Sequence, residues 1–107
     1  MSILRLAAIS GAIAVGAGAF AAHGAGAHAA ELLRTGALYQ MVHAVAAIAV
    51  TKGKRGGIAA TLLLAGSAVF AGSLYLLAFG APRWIGPVTP IGGLGMIAGW
   101  ILVAARG

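Results

Sequence analysis

Residues 58–79 read IAATLLLAGSAVFAGSLYLLAF, and this stretch decides the fold. It holds no charged side chain; its polar groups are hydroxyls, Ser67, Ser73 and Tyr75 among them. As an α-helix rising about 1.5 Å per residue it reaches about 33 Å, enough to cross a hydrocarbon core with some tilt. Three more apolar stretches surround it, at 3–22, 31–51 and 89–105, with helical lengths of about 30, 31 and 25 Å. Hydrophobic residues make up 62% of the chain and the mean hydropathy is +1.05, against roughly 45–50% apolar content in soluble domains. A soluble domain of this size leaves too much of its area in water to hide that surface. The sequence predicts one all-α domain, a polytopic membrane protein built as a four-helix bundle.

The first segment begins just beyond Ser2 and carries no charge after Arg5. Arg5, the apolar run and Ala27-His28-Ala29 also have the order of a signal peptide. An apolar run longer than the usual 7–15 residues favours an uncleaved span. Glycine is the second compositional signal, at 18 residues where average usage predicts roughly seven or eight. Without a hydrophobic force between helices in lipid, small residues are what let backbones approach. Ala7, Gly11, Ala14, Gly18 and Ala21 form one stripe of the first segment, which reads as a packing face. Gly92, Gly95 and Gly99 do the same in the fourth, and the last two have GxxxG spacing.

Between the spans, His23-Gly24-Ala25-Gly26 breaks the first helix, and the second is expected to start near Glu31. Lys52-Gly53-Lys54-Arg55-Gly56-Gly57 reads as a basic turn. Gly80-Ala81-Pro82-Arg83-Trp84 ends the third span, with Trp84 suited to the membrane interface. Thr89-Pro90 reads as an N-cap followed by proline at the first helical position. Four spans put Arg5, Lys52, Lys54, Arg55 and Arg106 on one side, and Arg34, Arg83 and Glu31 on the other. The positive-inside bias then places both termini in the cytoplasm.

The net charge of +6 sits at span ends with no aromatic interleaving, which argues against nucleic acid as a partner. The absence of cysteine excludes disulfides and thiolate metal or iron–sulfur sites. His23 and His28 are five residues apart and do not align on a helix. Only Glu31 lines up with His28, so no metal site is expected, and these three read as outer-face polar groups. No bound cofactor is expected. The serines have no acid–base partners in sequence and no glycine-rich phosphate loop follows a strand, so no enzyme is expected.

The second span carries the polar residues Tyr39, Gln40 and His43. Counted from Glu31, His43 lies about 18 Å along the helix, near mid-membrane, with Tyr39 and Gln40 one turn before it. Ionisable groups at such depth face protein or water. Ser10, Ser67 and Trp100 fall at similar depth and are the expected hydrogen-bond partners. With a single acidic residue in the chain, the reading the residues favour is a neutral histidine that ties helices together in a small structural or accessory membrane component, packing with itself or with a larger partner. The other is a small transport or proton-relay module.

Gly18-Ala19-Phe20-Ala21-Ala22-His23-Gly24, Tyr39-Gln40-Met41-Val42-His43, Phe70-Ala71-Gly72-Ser73-Leu74-Tyr75, Thr89-Pro90-Ile91-Gly92-Gly93 and Gly99-Trp100 resemble, in order, the motifs of the YgdD-type family. These are small inner-membrane proteins also called domain of unknown function 423, with transmembrane-256-like relatives in eukaryotes. Ala21 stands where that family usually has glycine, and Ala71 interrupts its usual Phe-Ser-Gly-Ser run. The resemblance implies a four-helix integral protein of the inner membrane. It implies no established activity, and it leaves open whether the chain packs with itself or with a larger membrane partner.

Overall fold

In the computed structural model, which describes residues 2–106, four α-helices follow one another: α1 (Ile3–His23), α2 (Ala27–Val50), α3 (Gly56–Ala78) and α4 (Val88–Arg106). All four are long and apolar enough to cross a membrane. A short 3₁₀ turn, Arg83–Ile85, precedes α4. Helices adjacent in sequence pack side by side, while α1 barely reaches α3. Two clusters of buried side chains prove the up-down-up-down order. One joins Ala7, Ala47, Val50, Ala59, Ala60 and Leu63, with Leu102 and Val103 packed on it, so it lies at the end that holds both termini. The other joins Ala21, Ala30 and Leu33 with Tyr75 and Ala78 at the opposite end.

Residue size sorts the surface from the interior. Alanine dominates the buried positions, whereas Leu4, Val15, Ile58, Leu94 and Ile101 point outward. That pattern suits a solvent of lipid tails, because apolar bulk gains nothing by turning inward while small residues permit close backbones. α1 buries Ala7, Ala14 and Ala21, with Ala7 in one cluster with Ala47 and Ala21 with Ala30, and α2 buries Ala30, Ala37 and Ala44. Both rows repeat every seven residues, the spacing of gently supercoiled antiparallel helices.

Several boundaries differ from those expected. α2 begins at Ala27, not near Glu31, because the last glycine of the break is Gly26. The amide of Ala30 donates to the Gly26 carbonyl at 2.8 Å, and alanine, the best helix former, carries the turn forward. Gly56 and Gly57 belong to α3, not to the basic turn. Arg55, just before them, has φ +54°, a left-handed conformation that closes the short α2–α3 connection. α4 starts at Val88, so Thr89 lies inside its first turn and is not a cap. Pro90 is tolerated there because a first-turn N–H has no intrahelical acceptor to lose.

The closest approach joins α3 to α4. A Cβ added to Gly66 would sit 2.6 Å from the Met96 amide nitrogen, and one on Gly92 would sit 2.6 Å from the Gly66 carbonyl oxygen. Gly95 lies over the Gly66 Cα, and Gly99 over the Leu63 side chain. Gly11 and Gly18 are looser. A methyl there would meet Met41 Sδ at 3.9 Å or Ala37 Cβ at 3.8 Å, ordinary contact distances. Thermal melting in mild detergent should therefore separate the two interfaces. Gly66→Ala and Gly92→Ala should each cost about 1–3 kcal/mol, as overpacking against backbone does, whereas Gly18→Ala should leave the melting temperature within about a degree or two of wild type.

Candidate functional site

Gln40 and His43 lie one turn apart on the protein-facing side of α2, both buried. A primary amide there can both donate and accept, and Gln40 does both across helices. Gln40 Nε2 donates to Ser10 Oγ of α1 at 3.1 Å. Its Oε1 accepts from the Tyr75 hydroxyl of α3 at 2.6 Å. One glutamine therefore ties three helices together.

His43 ties the fourth. Trp100 Nε1 of α4 lies 3.0 Å from His43 Nε2. An indole N–H can only donate, so Nε2 is the unprotonated acceptor. The ring proton then sits on Nδ1, which donates to the Tyr39 carbonyl oxygen at 2.7 Å. Both nitrogens are engaged, the ring is neutral and its tautomer is fixed. The indole meets the imidazole edge-on, with centroids 5.8 Å apart.

The expected cluster assembles with two changes. Ser10, Gln40, His43 and Trp100 come together. Ser67 does not join them, although it is fully buried; its hydroxyl donates to the Leu64 carbonyl of its own helix. A serine inside a helix can always satisfy itself locally, so equal depth does not imply pairing. Tyr39 contributes its carbonyl, while its half-exposed ring packs on Phe70, with centroids 4.6 Å apart. Tyr75 is the member that depth counting missed. Its Cα lies nearer the far end of α3, but helical side chains lean toward the N-terminus. The ring runs along Gly36, where an added Cβ would lie 2.6 Å from it, and so reaches Gln40 one turn further on. Gly36, four residues before Gln40, is the sequence signal for that contact.

Two satellite contacts lie at the ends of the bundle. Thr89 Oγ1, which does not cap α4, hydrogen-bonds Ser73 Oγ of α3. Ser73 in turn donates to the Phe70 carbonyl. At the opposite end, Arg106 Nη1 donates to the Val50 and Lys54 carbonyls at 2.9 and 3.1 Å. A guanidinium there caps the carbonyl end of α2, where positive charge is favoured. His23, His28 and Glu31 are all exposed at the end away from both termini. Among the described residues no three histidine or carboxylate side chains gather as metal ligands would.

No buried side-chain nitrogen or oxygen among the described residues lacks a hydrogen-bond partner. The cluster is thus a set of ties between helices. A double-mutant cycle on His43→Leu and Trp100→Phe should give a coupling of about 1 kcal/mol, the usual scale for hydrogen bonds between membrane helices. Nitrogen-15 spectra of the labelled imidazole should show the neutral Nδ1–H form at pH 7; a charged ring, or the Nε2–H form, would contradict the Trp100 geometry.

Several known membrane proteins resemble this chain over nearly its whole length. A family described as protein of unknown function (DUF423) matches residues 17–93. The UPF0382 membrane protein of Haemophilus influenzae is 42% identical, covering 94% of this chain and 89% of its own length. The UPF0382 membrane protein YwdK of Bacillus subtilis is 37% identical, over 92% of this chain and 89% of its own. The UPF0382 inner membrane protein YgdD of Escherichia coli K12 is 40% identical, over 94% of this chain and 85% of its own. No solved structure matches the chain. The family match and these near-full-length relatives place the conclusion beyond the motifs alone: this chain belongs to the DUF423 family of small UPF0382 membrane proteins.

Proposed function

We propose that this chain is a structural or accessory component of the membrane, packing with itself or with a larger membrane partner and catalysing no reaction. One observation carries the proposal: the intramembrane polar groups are spent on one another. Gln40, His43, Trp100 and Tyr75 form ties between helices of the same chain. A proton relay needs a group free to change protonation, yet both His43 nitrogens are engaged and no carboxylate lies near them. Glu31, the single acid of the chain, is exposed near the start of α2. Three surface grooves present mostly apolar surface, although Ser10, Thr61, Tyr39, His43 and Ser73 are among their lining residues, which suits lipid or a partner helix better than a hydrated solute.

Both termini are assigned to the cytoplasm, with α1 retained as a span. Supporting this, Arg5, the Lys52–Arg55 turn and Arg106 share one end of the bundle, leaving Arg34 and Arg83 at the other. Retention of α1 is supported by its alanine row, which is buried against α2 and would leave that face bare if removed.

Activity reporters fused to each terminus should both read cytoplasm, and one exposed on the outer face would reverse the orientation. Reconstituted in liposomes, the wild-type protein should conduct neither protons nor small solutes. His43→Gln, which keeps a donor and an acceptor, should retain most of the thermal stability, while His43→Leu should lose it by leaving the Trp100 N–H unpaired. Wild-type flux that vanishes in a stable His43→Gln protein would replace this reading with transport through the cluster.

A further inference from the structure

α1 packs mainly on α2, and the space left between α1 and α3 is a groove of about 260 Å³. Its walls are Ile3, Leu6 and Ser10 of α1 and Thr61, Leu64 and Ala65 of α3. For scale, a dry cavity of about 150 Å³ already takes up a benzene ring. With Ala68 completing the α3 side, the walls are two parallel helix segments, each about 10 Å long. The groove therefore runs along the helix axes, the direction an acyl chain takes in a bilayer.

Charge distinguishes this groove from the other surface furrows. It starts at the N-terminal ends of α1 and α3, where Arg5, Lys52, Lys54 and Arg55 are exposed. Arg106 at the same end is committed to the Val50 and Lys54 carbonyls, but these four cations face no acidic side chain, since Glu31 lies at the opposite end of the bundle. An apolar slot along the bilayer normal, opening beneath uncompensated positive charge, is complementary to one class of molecule. We propose that an anionic phospholipid occupies the α1–α3 groove, with one acyl chain between the helices and its phosphate held by the basic rim. The site does not depend on the orientation of the protein or on its role as an accessory component, because only the groove and the rim enter the argument.

The test uses the full chain, purified in mild detergent and titrated by native mass spectrometry with phosphatidylglycerol and with phosphatidylcholine of identical acyl chains. Wild type should retain one phosphatidylglycerol per chain, at least about tenfold more tightly than phosphatidylcholine, given three or four cations near the headgroup. The triple variant Arg5→Gln, Lys52→Gln, Lys54→Gln should lose that preference while binding phosphatidylcholine as before. Ala65→Phe, which fills the groove from an exposed position, should weaken both lipids about tenfold. Should Ala65→Phe lose its helical circular dichroism, Leu6→Ala decides, because it strips one wall at a lipid-facing residue and should also weaken both lipids. Equal affinity for the two lipids in wild type, a preference that survives the triple variant, or binding unchanged in the folded groove variants would each overturn the site. A change of oligomeric mass in Ala65→Phe would also overturn it, assigning the groove to a second copy of the chain.

Discussion

Backbone contact between α3 and α4 holds the bundle together. In water, two helices are driven together by removing apolar area from solvent. In lipid that term vanishes, and association rests on packing and on hydrogen bonds between helices. Gly66 on α3 and Gly92 and Gly95 on α4 meet this requirement by bringing main chain against main chain, while Gly99 leaves room for the Leu63 side chain. A single methyl at Gly66 or Gly92 has nowhere to go. Once α4 is seated there, Trp100 is carried to His43, and Thr89 to Ser73.

The polar ties work differently from the glycine contact. Small residues fix how close two helices come, but a smooth stripe of alanine and glycine allows sliding along the axis. A hydrogen bond between side chains at fixed heights does not. Gln40 bonded to both Ser10 and Tyr75 sets the register of α1 and α3 against α2, and His43 bonded to Trp100 sets that of α4. Since these side chains bond at fixed heights on all four helices, the cluster defines a single arrangement of the helices. The cost of an unpaired polar group in hydrocarbon then disfavours every alternative register.

The division between inner and outer helices has consequences for partners. α2 and α3 are the more buried pair, whereas α1 and α4 turn most of their surface outward. α1 is the less constrained of the outer two, because Gly11 and Gly18 on its packing face leave room for a methyl and a gap remains toward α3. That gap opens next to the largest concentration of unpaired positive charge in the molecule. Structural weakness and electrostatic attraction therefore coincide at one place, and a bound lipid there would brace the helix that the protein holds least firmly.

Sequence by itself determined the solvent and the number of spans, because hydropathy is summed along the chain and needs no neighbours. It also supplied the small-residue faces of α1 and α4, since helical periodicity alone puts Ala7, Ala14 and Ala21, or Gly92 and Gly99, on one side. The identity of the polar residues needing partners was legible too: Gln40 and His43 are costly wherever they point. Tertiary structure decided which partners they found. Ser67 was free to bond its own helix, and Tyr75 reached back along Gly36 to a depth its Cα does not occupy. Helix starts were likewise settled by context, as Ala27 and Val88 extend helices that Glu31 and Thr89 seemed to begin, Thr89 being drawn to Ser73 rather than to its own backbone. Which glycines are indispensable was also invisible in the sequence. Gly18 and Gly66 are chemically identical, and only the distance to the next backbone tells them apart.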